Sequence, residues 1–341
     1  MLATTSRCFV KSSNGASGRR HMARHVTLET IRDAGAAIYT IARRTPLVKL
    51  DATAPSRNDT PNVYLKLETL QPIGSFKIRG AYNAVRQLTP AELVCGVWTV
   101  SAGNAAQGVA LAARAAGIPC TVLMIDTAPE TKFDAIENLG ATIVKASYDE
   151  CWQTVETHRS DRLPGHFIHP FDDDQFISGN GTIGVEIFED LPDVTAVVVP
   201  VGGGGLLAGI ATAVRALRPA VRVYAAEPET AAPLVASLNA GRACYVDGWT
   251  SSFVDGCGGK SVIPTMWPLL RDLVDESIVV SLDEIRHAMK LVARHAHVIT
   301  EGAGACAVAA ALTGRAGKGP IAAVVSGGNI DLPTFSEIVS A

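Results

Sequence analysis

The sequence is poor in charge, in aromatic side chains and in paired cysteine motifs. Only 18% of its 341 residues are Asp, Glu, Lys or Arg, and acids outnumber bases 33 to 30. Proteins that neutralise phosphate backbones are normally basic, so nothing here points to nucleic acid as a partner. Aromatics at 6% leave few platforms for stacking bases. The seven cysteines, Cys8, Cys95, Cys120, Cys151, Cys244, Cys257 and Cys306, are odd in number and widely spaced, with no Cys-x-x-Cys pair. That argues against a disulfide scaffold or zinc knuckle and fits a reducing, cytoplasmic setting. Each thiol is expected to be a small buried apolar residue. Lysine is also scarce, at nine against 21 arginines, which makes each lysine in an apolar setting worth weighing.

Long uncharged runs are nearly absent. Val194 to Val214 is long enough to cross a bilayer but contains Pro200 and Gly202 to Gly205. Those residues would break a helix at its centre, so the run predicts a buried strand, a loop and a helix, and no membrane. Residues 1–24 lack acids and carry Arg7, Lys11, Arg19, Arg20 and Arg24. They are expected to lie outside the fold, as a tail or non-native extension, with organellar import the alternative.

What is present is alternation. Val97–Ala102, Pro119–Ile125 and Ala141–Ala146 predict strands, separated by helical patterns at 104–117 and 128–140. Thr195–Val201 predicts a strand buried on both faces, followed by a helix at 205–217 and strands at 221–227 and 319–328. Ser281 with Glu284 reads as a capping box opening a helix over 281–298. This βαβ order implies parallel sheets in two units with a cleft between them.

Three clusters could carry chemistry. "PVGGGGLLAGI" is strand, glycine loop and helix, where N–H groups and helix dipole converge on an anion. Gly203, Gly205 and Ala208 also fit G-x-G-x-x-A, with Glu227 some 20 residues on, so a dinucleotide remains open on this motif alone. Lys77 stands between Phe76 and Ile78 with Arg79 nearby. Burial and a neighbouring cation both favour its neutral amine, which can form a Schiff base and later act as a base. "VSAGNAAQG" and "VVSGGNID" place small polar residues just after buried strands. There Ser101, Gly103 and Asn104 would present backbone donors to a carboxylate, and Ser326 a hydroxyl.

Taken together, "LETLQPIGSFKIRGA", "SAGNAAQG", "HPFDDDQFISGNGTIGVEI", "VVPVGGGGLLAGI", "AAEPE", "SFVDGCGGKS" and "VVSGGNID" resemble the fold type II pyridoxal-phosphate enzymes. The resemblance is to the threonine/serine dehydratase and serine racemase branch, and it runs from about residue 27 to the end. It implies an α/β fold of two lobes, tryptophan synthase β-like, each a parallel or mostly parallel sheet flanked by helices. Residues 25–95 with 170–341 would form the large cofactor-binding domain and 96–169 a small inserted one. It also implies that Lys77 holds pyridoxal 5′-phosphate covalently and that Phe76 packs near its ring. Asn104 would bond the ring 3-hydroxyl, Gly202, Gly203, Gly204, Gly205 and Leu206 would cradle the phosphate, and Ser326 would face the pyridine nitrogen. The substrate carboxylate would sit on Ser101, Ala102, Gly103, Asn104 and Ala105.

The implied activity is β-elimination from a β-hydroxy-α-amino acid such as L-threonine or L-serine, giving a 2-oxo acid and ammonia. A hydroxyl at the ring nitrogen does not enforce its protonation, which favours expelling the β-hydroxyl. Ala102 stands where serine racemases carry a serine as second base, which argues for elimination over racemisation. Ala105 replaces a common histidine, and "GNG" replaces "GQG" at 179–181. The family's divalent-cation site begins at a Glu matching Glu227 and usually ends in an Asp six residues on, where Pro233 stands. Glu227 is therefore either a cation ligand or a structural carboxylate. The alternatives are a racemase of the same fold, a dehydratase for 3-hydroxyaspartate, phenylserine or a solute-derived hydroxy amino acid, and a silent pyridoxal-phosphate- or amino-acid-binding protein. The resemblance further implies a homodimer or homotetramer. The chain stops ten residues after Asp331, which predicts no appended regulatory domain.

Overall fold

The computed structural model describes residues 24–51 and 61–340. They form two sheets. The larger runs in spatial order Leu47–Lys49, Asn62–Leu67, Pro320–Val325, Ala196–Pro200, Arg222–Pro228, Glu276–Val280. All its pairings are parallel except the first. The smaller, wholly parallel sheet runs Thr142–Ala146, Cys120–Ile125, Val97–Val100, His166–Phe167. This is the two-lobed α/β arrangement expected from the sequence. The expected strands and helices of 97–146 and 195–228 appear within a few residues of their anticipated ends.

The uncharged run at 194–214 is strand, glycine turn and helix, as its composition predicted. Among the described residues no helix is long and apolar enough to cross a membrane. Alternation along the strand explains the lack of charge. Val197 and Val199 pack with Leu207, Ile210 and Val214 on one face, and Val198 packs with Ala305, Val308 and Ala309 on the other.

Three expectations need correction. The helix opened by the Ser281 capping box is α-helical only to Leu291. It widens into a π turn over Val292–Ala296 and ends at His297, whose φ is 58°. Arg24 does not lie outside the fold. Its guanidinium bonds the nearly buried Asp172 at 2.5 Å and pairs with Asp174 at 3.2 Å. The remainder of the N-terminal expectation lies outside the described residues. Cys95 is exposed, whereas the other five described cysteines are buried and all six are free thiols.

One helix lies between the Lys77 segment and the glycine-loop segment. Asp174–Asp190 lies against both the Lys77–Arg86 helix and the Gly205–Leu217 helix. The approach is backbone to backbone: a Cβ on Gly179 would lie 2.4 Å from the Arg79 carbonyl oxygen, and one on Gly209 2.3 Å from that of Ile177. Beneath the first contact lies a buried ion network. Arg79 meets Glu68 at 2.8 Å and Glu186 at 2.5 Å, and Lys66 meets Glu186 at 2.6 Å. Thr182 and the Arg43 carbonyl take further guanidinium donors.

Candidate active site

A cleft of about 710 Å³ opens between the lobes at the carboxyl ends of the strands. Phe76, Lys77, Ser101, Ala102, Gly103, Asn104, Ala105 and Ser326 all line it. Sequence-distant motifs are brought together by strand order. Ser101 follows the strand Val97–Val100 and Ser326 follows Pro320–Val325. The Lys77 segment is stitched to the latter by the Phe76 N–H donating to the Ser326 carbonyl at 3.0 Å and by a Ser75–Gly327 bridge.

Lys77 begins its helix, facing the cleft. Its Nζ donates to the Pro170 carbonyl at 2.7 Å and lies 5.3 Å and 5.4 Å from the ring centroids of Phe76 and Phe176. Burial pushes its pKa down to about 8, against a partial upward pull from Glu301. Such an amine is far more often neutral at physiological pH than an exposed lysine, as a nucleophile and base requires.

The glycine loop does not line the cleft directly. Phe171, which does, packs on it: a Cβ on Gly203 would meet the Phe171 ring at 2.2 Å, and one on Gly205 the Phe171 carbonyl oxygen at 2.6 Å. Gly204 needs glycine for another reason, a φ of 94° at the helix N-cap. Among the described residues none accepts a hydrogen bond from the N–H groups of Gly202 to Leu206. A run of free donors at the start of a helix suits a phosphate. With a buried reactive amine in the adjoining cleft, these residues fit pyridoxal 5′-phosphate.

Phe171 belongs to a turn that is fixed on its far side. His169 Nδ1 accepts the N–H groups of Phe171 and Asp172, and its Nε2 faces the Val155 carbonyl at 3.1 Å. Burial holds this imidazole down to about 3, so it stays neutral and donates to Val155. Although burial pushes the Asp172 carboxyl up, bonds from His158 and Thr265 and the Arg24 charge leave it below its usual range.

The segment expected to seat a carboxylate has some of its backbone donors already engaged. Of the three backbone donors expected there, the Ser101 N–H bonds the Leu123 carbonyl and the Gly103 N–H bonds Ser101 Oγ. Among the described residues none accepts a hydrogen bond from the N–H groups of Ala102, Asn104 or Ala105. Glu227 stands apart from the cleft. Its oxygens accept from the N–H groups of Leu234 and Val235 and from Ser277 Oγ, at 2.6–2.8 Å. Leu234 and Val235 start the Pro233–Ala240 helix and Ser277 lies on the neighbouring strand, so Glu227 serves as a structural carboxylate in this arrangement. Burial raises this carboxyl to about 7. Among the described residues the side chains grouped closely enough for a metal are His158, His169 and Asp172, but both His169 nitrogens already have protein partners.

Two residues of the site were not anticipated. Glu301 lines the cleft while only 5% exposed, and Asn104 Nδ2 donates to its Oε1 at 2.8 Å. Asn329 Nδ2 donates to Asn104 Oδ1 at 2.6 Å and to the Ile73 carbonyl at 2.8 Å. Burial, reinforced by Asp255, raises the Glu301 carboxyl to about 8. A signal was available: Glu301 is the only charged residue between Val298 and Gly314.

A family model described as pyridoxal-phosphate dependent enzyme matches residues 38–327. The chain belongs to this family. It is 41% identical over 318 residues to an L-threonine ammonia-lyase of Thermotoga maritima, covering 92% of this chain and 78% of that enzyme. It is 40% identical over 322 residues to a catabolic L-threonine dehydratase of Staphylococcus aureus, covering 92% of each. Among solved structures, maize serine racemase superposes with a TM-score of 0.83 at 34% identity, over 92% of this chain and 96% of that one. The processed form of threonine deaminase isoform 2 from Solanum lycopersicum gives 0.82 at 35%, over 92% of each. As a pyridoxal-phosphate enzyme of fold type II, this chain has the cofactor chemistry its lysine and glycine loop suggested.

Proposed function

We propose that this protein is an ammonia-lyase that dehydrates and deaminates a β-hydroxy-α-amino acid, with L-threonine and L-serine as substrates. The observation that carries the reading is the buried amine of Lys77 facing the cleft beside a loop of free N–H donors. The similarity to threonine ammonia-lyases over most of the chain supports the substrate class.

Lys77 and the N–H groups of Gly202 to Leu206 would hold the cofactor, Asn104 and Ser326 would face its ring, and Phe76 would pack beside it. When bound, pyridoxal phosphate supplies an electron sink for the pair left on Cα. Once the substrate amine has displaced it from the cofactor, the freed Lys77 amine, kept neutral by burial, would take the Cα proton. The N–H groups at the Asn104 helix start hold the substrate carboxylate and so orient that Cα–H bond. The β-hydroxyl leaves with one proton as water, balancing the proton taken from Cα, and the released enamine tautomerises and is hydrolysed to the 2-oxo acid and ammonia.

Ala102, on the cleft wall, offers no hydroxyl to return a proton from the opposite face. Elimination is thereby favoured over racemisation. The racemase reading draws on the serine racemase neighbour, and chiral analysis of unreacted serine separates the two. The deciding experiment is release of 2-oxo acid from a panel of β-hydroxy amino acids by cofactor-loaded protein. Turnover of L-threonine or L-serine that vanishes in Lys77→Ala is expected. A chain that takes up cofactor yet releases no 2-oxo acid from any member would refute the proposal.

A further inference from the structure

Asn104 is held at both ends of its amide. Its Oδ1 receives Asn329 Nδ2, whose direction is set by the Ile73 carbonyl, a group that can only accept. Its Nδ2 gives one hydrogen to Glu301 Oε1. An NH₂ group has two hydrogens, so a second donor remains at a residue that lines the cleft. Glu301 reaches this position by tight packing. A Cβ on Gly327 would lie 2.5 Å from Glu301 Oε1, and the Glu301 N–H donates to the Gly327 carbonyl at 3.1 Å. Gly327 follows Ser326 and bridges Ser75, two residues before Lys77. Glu301 thus lies where the Asn104 helix start, the Ser326 turn and the Lys77 segment meet.

We propose that Glu301 is a positioning residue: by accepting one Asn104 hydrogen it aims the other at the oxygen of the cofactor ring. This rests on the reading of the cleft as a pyridoxal-phosphate site. With Glu301 replaced by an apolar side chain, Asn104 keeps a single anchor, at Asn329, and its free donor is no longer directed. A purely structural Glu301 would affect cofactor binding whether or not Asn104 were present. A positioning Glu301 acts only through it.

The test is a cofactor titration of the full chain followed by visible absorbance, independent of turnover. Glu301→Met keeps volume and removes the acceptor, and is expected to weaken pyridoxal-phosphate binding about tenfold, the scale of one lost hydrogen bond. Glu301→Gln keeps an acceptor and is expected to bind within about threefold of wild type. In an Asn104→Ala background, Glu301→Met is expected to add less than about twofold. Wild-type affinity for Glu301→Met, or an equal loss in the Asn104→Ala background, overturns the proposal. Where Glu301→Met fails to fold by circular dichroism, Glu301→Asp, which withdraws the carboxyl by one methylene, takes its place with the same expected losses and the same overturning results. A wild-type chain that takes up no cofactor overturns the reading of the cleft and this proposal with it. Wild-type uptake with an unaffected Glu301→Met overturns this proposal alone.

Discussion

Lys77 and Arg79 are two cations two residues apart on one helix, in opposite surroundings. Arg79 is fully buried and shared between two carboxylates, with every direction of its guanidinium used. Those partners raise its pKa despite the cost of burial. Lys77 has one carbonyl acceptor and two aromatic rings, so burial wins and its pKa falls. The same turn of helix therefore carries a permanent charge for the fold and a switchable amine for the chemistry. What separates them is the number of acceptors each side chain meets.

Four measurements would break or sharpen this contrast. Lys77→Ala is expected to lower 2-oxo acid release by at least about 10⁴-fold, the upper range for loss of a catalytic base. Its unfolding midpoint in urea should stay close to wild type, because no ion pair is broken. Arg79→Met reverses that pattern. It strands Glu68 and Glu186 without their guanidinium and should cost about 3–5 kcal/mol in urea denaturation. A stable Arg79→Met would mean the network is dispensable.

The third concerns Glu301, whose charge acts on Lys77 from within the same cleft. The folded pKa of Glu301 lies above its unfolded value, so its protonated form is the stabilised one. Its contribution is complete below about 4.5 and lost as pH rises through about 8. Cofactor-free Glu301→Gln should therefore lose less stability than wild type across that window, with slopes differing by up to about 1.4 kcal/mol per pH unit. Parallel curves would show that Glu301 ionises freely in the fold. The smallest effect belongs to Lys132, which pairs with Asp255 at 2.6 Å at the cleft mouth with both side chains partly exposed. Lys132→Ala should cost less than about 1 kcal/mol in stability and less still in high salt.

The sequence revealed most where a feature is local. Strand–helix alternation over 97–146 was legible because apolar runs end in small residues or glycine, and Gly117 does close its helix with a φ of 68°. Lys77 and the glycine loop stood out because of their immediate chain setting, an apolar flank and a run of four glycines after a buried strand, although Pro170, Phe176 and Phe171, which they meet in space, are far off in sequence. Glu301 and Asn329 were not, because each meets Asn104 about 200 residues away in sequence. Glu227 stayed ambiguous in the sequence for a related reason. A carboxylate at a strand end looks the same whether it awaits a cation or caps a helix several residues on. Phe171 escaped because nothing in "HPFD" shows that its ring would press on Gly203.

The contacts that hold Asp174–Asp190 between the lysine helix and the glycine-loop helix include close approaches of glycine backbone as well as apolar side-chain packing. Where Gly179 and Gly209 meet their neighbours, the spacing between the Lys77 helix and the glycine-loop helix is therefore measured out in peptide units, like a ruler whose marks do not depend on its colour. A methyl group at Gly179 or Gly209 would alter it at once.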